Sequence, residues 1–158
     1  MIVAGVDPGI SGAIAVVTDD DVQFVDMPTQ LRERSSRREI DVPVLVSRLN
    51  SLGIKRATAV IEHLHARQGS AIQHQGQMME TAGAIRAAIA VAGWSRVVVD
   101  PKRWKKFYGL GSSKSASLDI ARRLYPCASD ELSRAKDHNR AEALLIAHWF
   151  IRTEGKHG

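Results

Sequence analysis

The passage "GVDPGISGAIAVV" near the start of the chain constrains the fold more than any other stretch. Apolar residues at 2–6 and 13–17 flank a turn rich in glycine, and two short apolar runs joined in this way read as neighbouring β-strands. A third run follows the turn composition "TDDD", so the first 27 residues read as a three-strand meander over 1–8, 12–18 and 22–27. Asp7 lies where the first strand meets the turn. A carboxylate beside two buried strands is costly unless a partner offsets its lost hydration, which makes Asp7 a candidate functional residue.

Beyond the meander, "PTQLRERSSRRE" at 28–39 has little apolar periodicity and reads as a mobile basic loop. Asp41 then caps a helix with Pro43 in its first turn and Gly53 at its close. The strand pattern returns in "ATAVIE" at 57–62, followed by a polar linker and a long helix over 72–91. "SRVVVD" at 95–100 is a further strand, and Asp100-Pro101 opens a short helix to 107. Two more helices are expected over 114–125, stopped by Pro126, and over 138–152. With neither repeat nor linker in sight, residues 1–158 read as one α/β domain. Its centre is a mixed five-stranded sheet, the three-strand meander plus two further strands, flanked by helices.

Composition narrows the partners. Lys and Arg number 22 against 17 Asp and Glu, a net charge of +5 that favours polyanions. Arg32, Arg34, Arg37 and Arg38 form one basic cluster, and Lys102, Arg103, Lys105 and Lys106 another. The lone Cys127 forms no internal disulfide and suits a reducing compartment. No apolar run approaches the ~18 residues that span a bilayer, and the start lacks a basic leader, so a cytoplasmic location is expected, with no membrane partner.

The acids carry the chemistry. Asp7 and Glu62 both end apolar strands, and in "KDHNRAEALLIAHW" Asp137 precedes the last helix while Glu142 lies just over one turn inside it. Carboxylates drawn from two strand ends and a helix start can converge at one sheet edge, where they repel one another unless cations occupy the cluster. Oxygen-only sites suit Mg²⁺ or Mn²⁺ rather than zinc. Two such ions can clamp a phosphodiester, one activating water and the other stabilising the leaving oxygen. For Asp137 a helix cap is the stronger local explanation.

"GVDPGISGAIAV", "VIEHLHARQGS", "GQMMETAGAIRAAI", "DPKRWKKFYGLGSSKSASLDIARRLYP" and "KDHNRAEALLIA" follow one another over nearly the whole chain. In that order they resemble the RuvC-type Holliday junction resolvases of phages and prophages, within the ribonuclease H-like superfamily. The resemblance implies a homodimeric, divalent-metal-dependent endodeoxyribonuclease. It would bind branched DNA and resolve four-way junctions by paired symmetric nicks, with Mg²⁺ or Mn²⁺, two per active site. By position, Asp7 and Glu62 correspond to the first two catalytic, metal-binding acids and Glu142 to the last, where the family commonly has Asp. The remaining, third position could be Asp137, His138 or Asn139, and Asp137 is taken as its ligand. The extra methylene of Glu142 lengthens its reach, so that a preference for Mn²⁺ over Mg²⁺ would be unsurprising.

DNA-facing roles follow for His65, Arg67, Lys102, Arg103, Lys105, Lys106 and Lys114. Around Trp104 the apolar residues of the short helix are expected to dock it and leave the cations outside to meet phosphates. "FYGLGSSK" lacks the Gly before Lys that a Walker A loop needs, so Lys114 is read as facing a phosphate near a helix capped by Ser112 or Ser113. Gly76, Gly83, Ala87 and Ala90 give the long helix a small-residue surface, which the resemblance assigns to a dimer contact and plain packing would assign to its own sheet. His65 stands three residues past the second acid, where well-known relatives carry an aromatic that stacks on bases. An imidazole stacks with less apolar area than a phenyl ring. His65→Phe should therefore bind and cut junctions at least as well as the wild type, and an inactive His65→Phe protein would remove the stacking role.

Overall fold

The computed structural model describes residues 1–65, 71–111 and 113–155. The apolar runs that mark the first strands carry through into space: β1 (Val3–Asp7), β2 (Ala13–Val17) and β3 (Val22–Asp26) form the antiparallel meander. The segment expected as a mobile loop is instead a hairpin of β4 (Thr29–Leu31) and β5 (Arg38–Ile40). Its arginines hold it. Arg32 pairs with Glu80 at 2.6 Å and Arg37 donates to Gln73 at 3.2 Å, while Arg38 donates to the Thr29 hydroxyl at 2.6 Å. Arg34 takes a left-handed conformation (φ 55°) between the two strands.

Helix α1 (Val42–Ser51) starts where Asp41 accepts from the Val44 amide, and it buries Leu45 and Leu49. β6 (Thr58–Glu62) pairs parallel with β1, α2 (Ile72–Val91) crosses the sheet, and β7 (Ser95–Val99) pairs parallel with β6. Then come α3 (Pro101–Phe107), α4 (Lys114–Leu124), three short 3₁₀ turns between Pro126 and Asp137, and α5 (His138–Thr153). The five strands run in the order β3-β2-β1-β6-β7, a mixed sheet as expected. Among the described residues no helix is long and apolar enough to cross a membrane.

Period-2 alternation divides the core into two. Ala4, Val6, Ile14, Val16 and Ile61 pack with α1 and α2 on one face, whereas Val3, Ala15, Val17 and Val60 pack with α4 and α5 on the other. Counting on from Val3 and Val60 by twos brings Asp7 and Glu62 to the α5 face, at the ends of neighbouring parallel strands. Helix α5 lies directly on β1 because residue 5 has no side chain: a Cβ there would overlap the Ala143 carbonyl oxygen and stand 2.6 Å from the Ala147 nitrogen. Both obstacles are backbone, so the structure cannot yield by turning a side chain. Gly5→Ala should cost about 3 kcal/mol, the upper end of the usual overpacking range, read as a lowered midpoint in urea denaturation. An unchanged midpoint would mean that α5 can lift off the strand without loss.

Candidate active site

Three acids gather where β1, β6 and α5 meet. Asp7 is partly buried at the end of β1, and loss of hydration, then the carboxylates of Glu142 and Glu62, push its carboxyl well above the usual range, with Lys105 pulling the other way. Burial also raises Glu62, opposed by the charge of Lys105 and by a hydrogen bond in which the Trp104 indole donates to Oε2 at 2.8 Å. Glu142 accepts from the Ser117 hydroxyl at 3.4 Å and lies 3.8 Å from the Lys105 ammonium. Elements distant in sequence thus supply each group: strand ends give two acids, the first turns of α5 give the third, α3 gives Trp104 and Lys105, and α4 gives Ser117.

Asp137, expected as the fourth member, does not join them. Its side chain is buried against Arg134, which donates to it from the backbone at 2.8 Å and from the guanidinium at 2.8–3.2 Å. This pair closes a capping box around the 3₁₀ turn that precedes α5, and the hydrogen bonds from Arg134 hold the Asp137 carboxyl below its usual range. The expected cap on α5 is likewise not made, since the Asp137 carboxylate accepts from no amide of that helix. His138 places Nδ1 3.1 Å from the Ala135 carbonyl. Asn139, one turn before Glu142 on α5, donates to the Ser11 carbonyl in the turn that follows Asp7. Arg140 clamps the same turn of α5 to β3, meeting both oxygens of Asp26 at 2.6–2.7 Å and Glu131 at 2.7 Å.

The donor chemistry of Asp7, Glu62 and Glu142 fits a hard divalent cation: oxygen atoms only, with three formal negative charges. Their repulsion is the electrostatic signature of such a set, and Lys105 is the cation that now offsets it. Among the described residues no three His, Cys, Asp or Glu side chains stand close enough together to enclose an ion as arranged.

Comparison with solved structures places this sheet and its helices. The chain superposes on the structure described as "T. thermophilus RuvC in complex with Holliday junction substrate" with a TM-score of 0.64, covering 98% of this chain and 97% of that one at 18% identity. The chain has the RuvC fold. A second structure, "Thermus thermophilus RuvC structure", matches over the same shares with a TM-score of 0.54 at 17% identity. Among curated proteins, 52 residues of the chain are 48% identical to "Holliday junction resolvase MOC1, chloroplastic" of Chlamydomonas reinhardtii. That stretch is 32% of this chain and only 6% of the length of that relative. No family model matches the chain.

Within this RuvC fold the expected DNA-facing residues separate. Lys102, Arg103 and Lys106 are exposed on α3, but Arg103 pairs with Glu154 at 2.9 Å and lies over the Trp149 ring. Lys105 turns inward to the carboxylates, contrary to the reading that all four cations stay outside. Phe107, expected to dock α3, is 51% exposed, while Trp104 is fully buried. Lys114 is exposed at the start of α4, three residues before Ser117. His65 is half-exposed, with Nε2 3.5 Å from Asp100 and its ring 4.6 Å from that of His63. Arg67 and Ser112 lie outside the described residues. Sequence reasoning missed Trp104 and Ser117 as site residues; an indole amid four cations was the available signal for the first.

A carboxyl whose folded pKa exceeds its unfolded value weighs against folding at pH above both, and the burden lifts as pH falls through the folded value. Asp7 is such a group. In EDTA, Asp7→Asn should melt at a higher temperature than the wild type near pH 8, and the difference should shrink toward about pH 5. Equal melting temperatures near pH 8 would show that Asp7 carries no such strain.

Proposed function

We propose that the chain is a divalent-metal-dependent endodeoxyribonuclease that resolves four-way DNA junctions by paired symmetric nicks. The observation that carries this reading is the partly buried Asp7 carboxyl, which shares its site with Glu62, Glu142 and Lys105 at the ends of adjacent strands. The RuvC fold, seen with a junction substrate in the Thermus protein, and the identity to a junction resolvase over 52 residues point to the same substrate class.

Asp7, Glu62 and Glu142 are the metal ligands in this reading. When bound, Mg²⁺ or Mn²⁺, two per site, supplies an activated water and charge stabilisation at the leaving oxygen. The protein groups divide the remaining work. Gly5 sets the separation of α5 from β1 and so the position of Glu142 relative to Asp7. Ser117 and Trp104 each fix one oxygen of a carboxylate. Lys105, half-buried beside the acids, offers a positive charge where a scissile phosphate would enter and where negative charge builds up. Lys102 and Lys106, exposed on α3, and Lys114, exposed at the start of α4, are assigned to the phosphates of the DNA arms. Arg103 is held by Glu154 and so contributes less. His65, beside the second acid, is assigned to stacking at the junction centre.

A symmetric pair of nicks needs two copies of the site. Gly76, Gly83, Ala87 and Ala90 are exposed along α2, and a Cβ at either glycine would meet nothing within 4 Å, so they do not serve packing on the chain's own sheet. That surface is the proposed homodimer contact. The chain is read as one nuclease domain acting on DNA in the cytoplasm of a bacterium or a phage-infected host.

The test is cleavage of an immobile four-way junction beside linear duplex and an RNA–DNA hybrid, with Mg²⁺, Mn²⁺ or EDTA. Paired nicks in the junction should depend on metal and vanish in Asp7→Asn, and Lys105→Ala should lower the cleavage rate by about 10²-fold, as loss of one preorganised charge does. Tight junction binding without nicks in either metal would leave a binding protein, and cleavage of the hybrid alone would move the activity to RNA.

A further inference from the structure

Trp104 has no solvent exposure, although Lys102, Arg103, Lys105 and Lys106 surround it in sequence. Its placement does two things at once. The indole N–H, which can only donate, reaches Glu62 Oε2 at 2.8 Å, and the Lys105 ammonium stands over the ring face 5.1 Å from the centroid. Packing alone would be met by Phe or Leu, since a buried indole brings with it a polar atom that must be satisfied. Here the atom that satisfies it belongs to an acid of the site rather than to a backbone carbonyl.

The bond engages one oxygen of Glu62 and leaves Oε1 without a hydrogen-bond partner among the described residues. A glutamate free to rotate would lose rotamer entropy whenever it ligated an ion. One already held by a rigid, buried donor has lost most of that freedom on folding. We propose that Trp104 is a positioning residue for the metal site, its N–H locking Glu62 in the orientation that receives a divalent cation. This rests on reading Asp7, Glu62 and Glu142 as metal ligands.

The experiment measures Mn²⁺ binding to the whole chain by electron paramagnetic resonance of the free ion, without DNA. Wild type is compared with Asp7→Asn, Trp104→Phe, and protein in which Trp104 is replaced by 3-benzothienylalanine, which keeps the ring shape and lacks the N–H. Both Trp104 replacements should weaken Mn²⁺ binding by about 10-fold, the lower end for loss of an outer partner of a ligand. The benzothienyl protein should keep the wild-type melting temperature in EDTA, which separates lost positioning from lost packing. If the wild type and Asp7→Asn differ as expected but the benzothienyl protein binds Mn²⁺ like the wild type, the positioning role is overturned and the metal site stands. If the wild type binds no Mn²⁺, or Asp7→Asn binds it equally well, the metal-site reading fails and takes this proposal with it.

Discussion

The contact of α5 with the bare backbone of β1 at Gly5 governs the rest of the architecture. Helices usually sit on a sheet at a distance set by intervening side chains, and removing the side chain at one position lets main chain meet main chain. Ala143 and Ala147 occupy that close approach, and Glu142 is the residue beside it. One missing methyl group in the first strand therefore brings an acid of the last helix next to Asp7. Sheet register does the corresponding work for Glu62, because parallel pairing aligns the ends of β1 and β6 and alternation sends both terminal acids to the same face.

Such convergence is unfavourable in itself. Burial strips hydration from Asp7 and Glu62 while neighbouring acids repel them, so both are displaced toward their neutral forms. The site tolerates this through Lys105 and two neutral donors, Trp104 and Ser117. The peripheral acids are treated differently. Asp26 and Asp137 each have an arginine within hydrogen-bonding distance and are pulled below their usual range. Asp26 and Asp137 with their arginines serve architecture, whereas Asp7, Glu62 and Glu142 meet at the candidate centre with Lys105 as their basic neighbour.

Much of this was legible in the sequence where short-range rules apply. The meander, the two further strands and the five helices follow from short apolar runs bounded by turns, from capping residues and from proline, and their limits fall within a residue or two of expectation. Asp7, Glu62 and Glu142 could be picked out because they interrupt or adjoin apolar runs. What escaped depends on contacts between distant segments. Residues 28–39 show no alternation, and their hairpin is held to α2 by the arginine side chains themselves. Asp137 looks like a cap for the helix ahead, yet its partner is Arg134 behind it. Lys105 belongs to a charge run that local reasoning leaves in solvent, and only the rotation of α3 about buried Trp104 turns it inward.

The fastening of α5 has a mechanical consequence. The helix is held near its start by Arg140, which grips Asp26 and Glu131, and a turn later by the strand beneath Ala143 and Ala147. Glu142 lies between these two anchorages, close to the fulcrum of any rocking motion. Displacement at the far end, where Glu154 meets Arg103, swings a long arm but moves the acid little. The centre is thereby insulated from agitation at that end of the helix, while a tilt originating at either anchorage acts on Glu142 with almost no leverage lost.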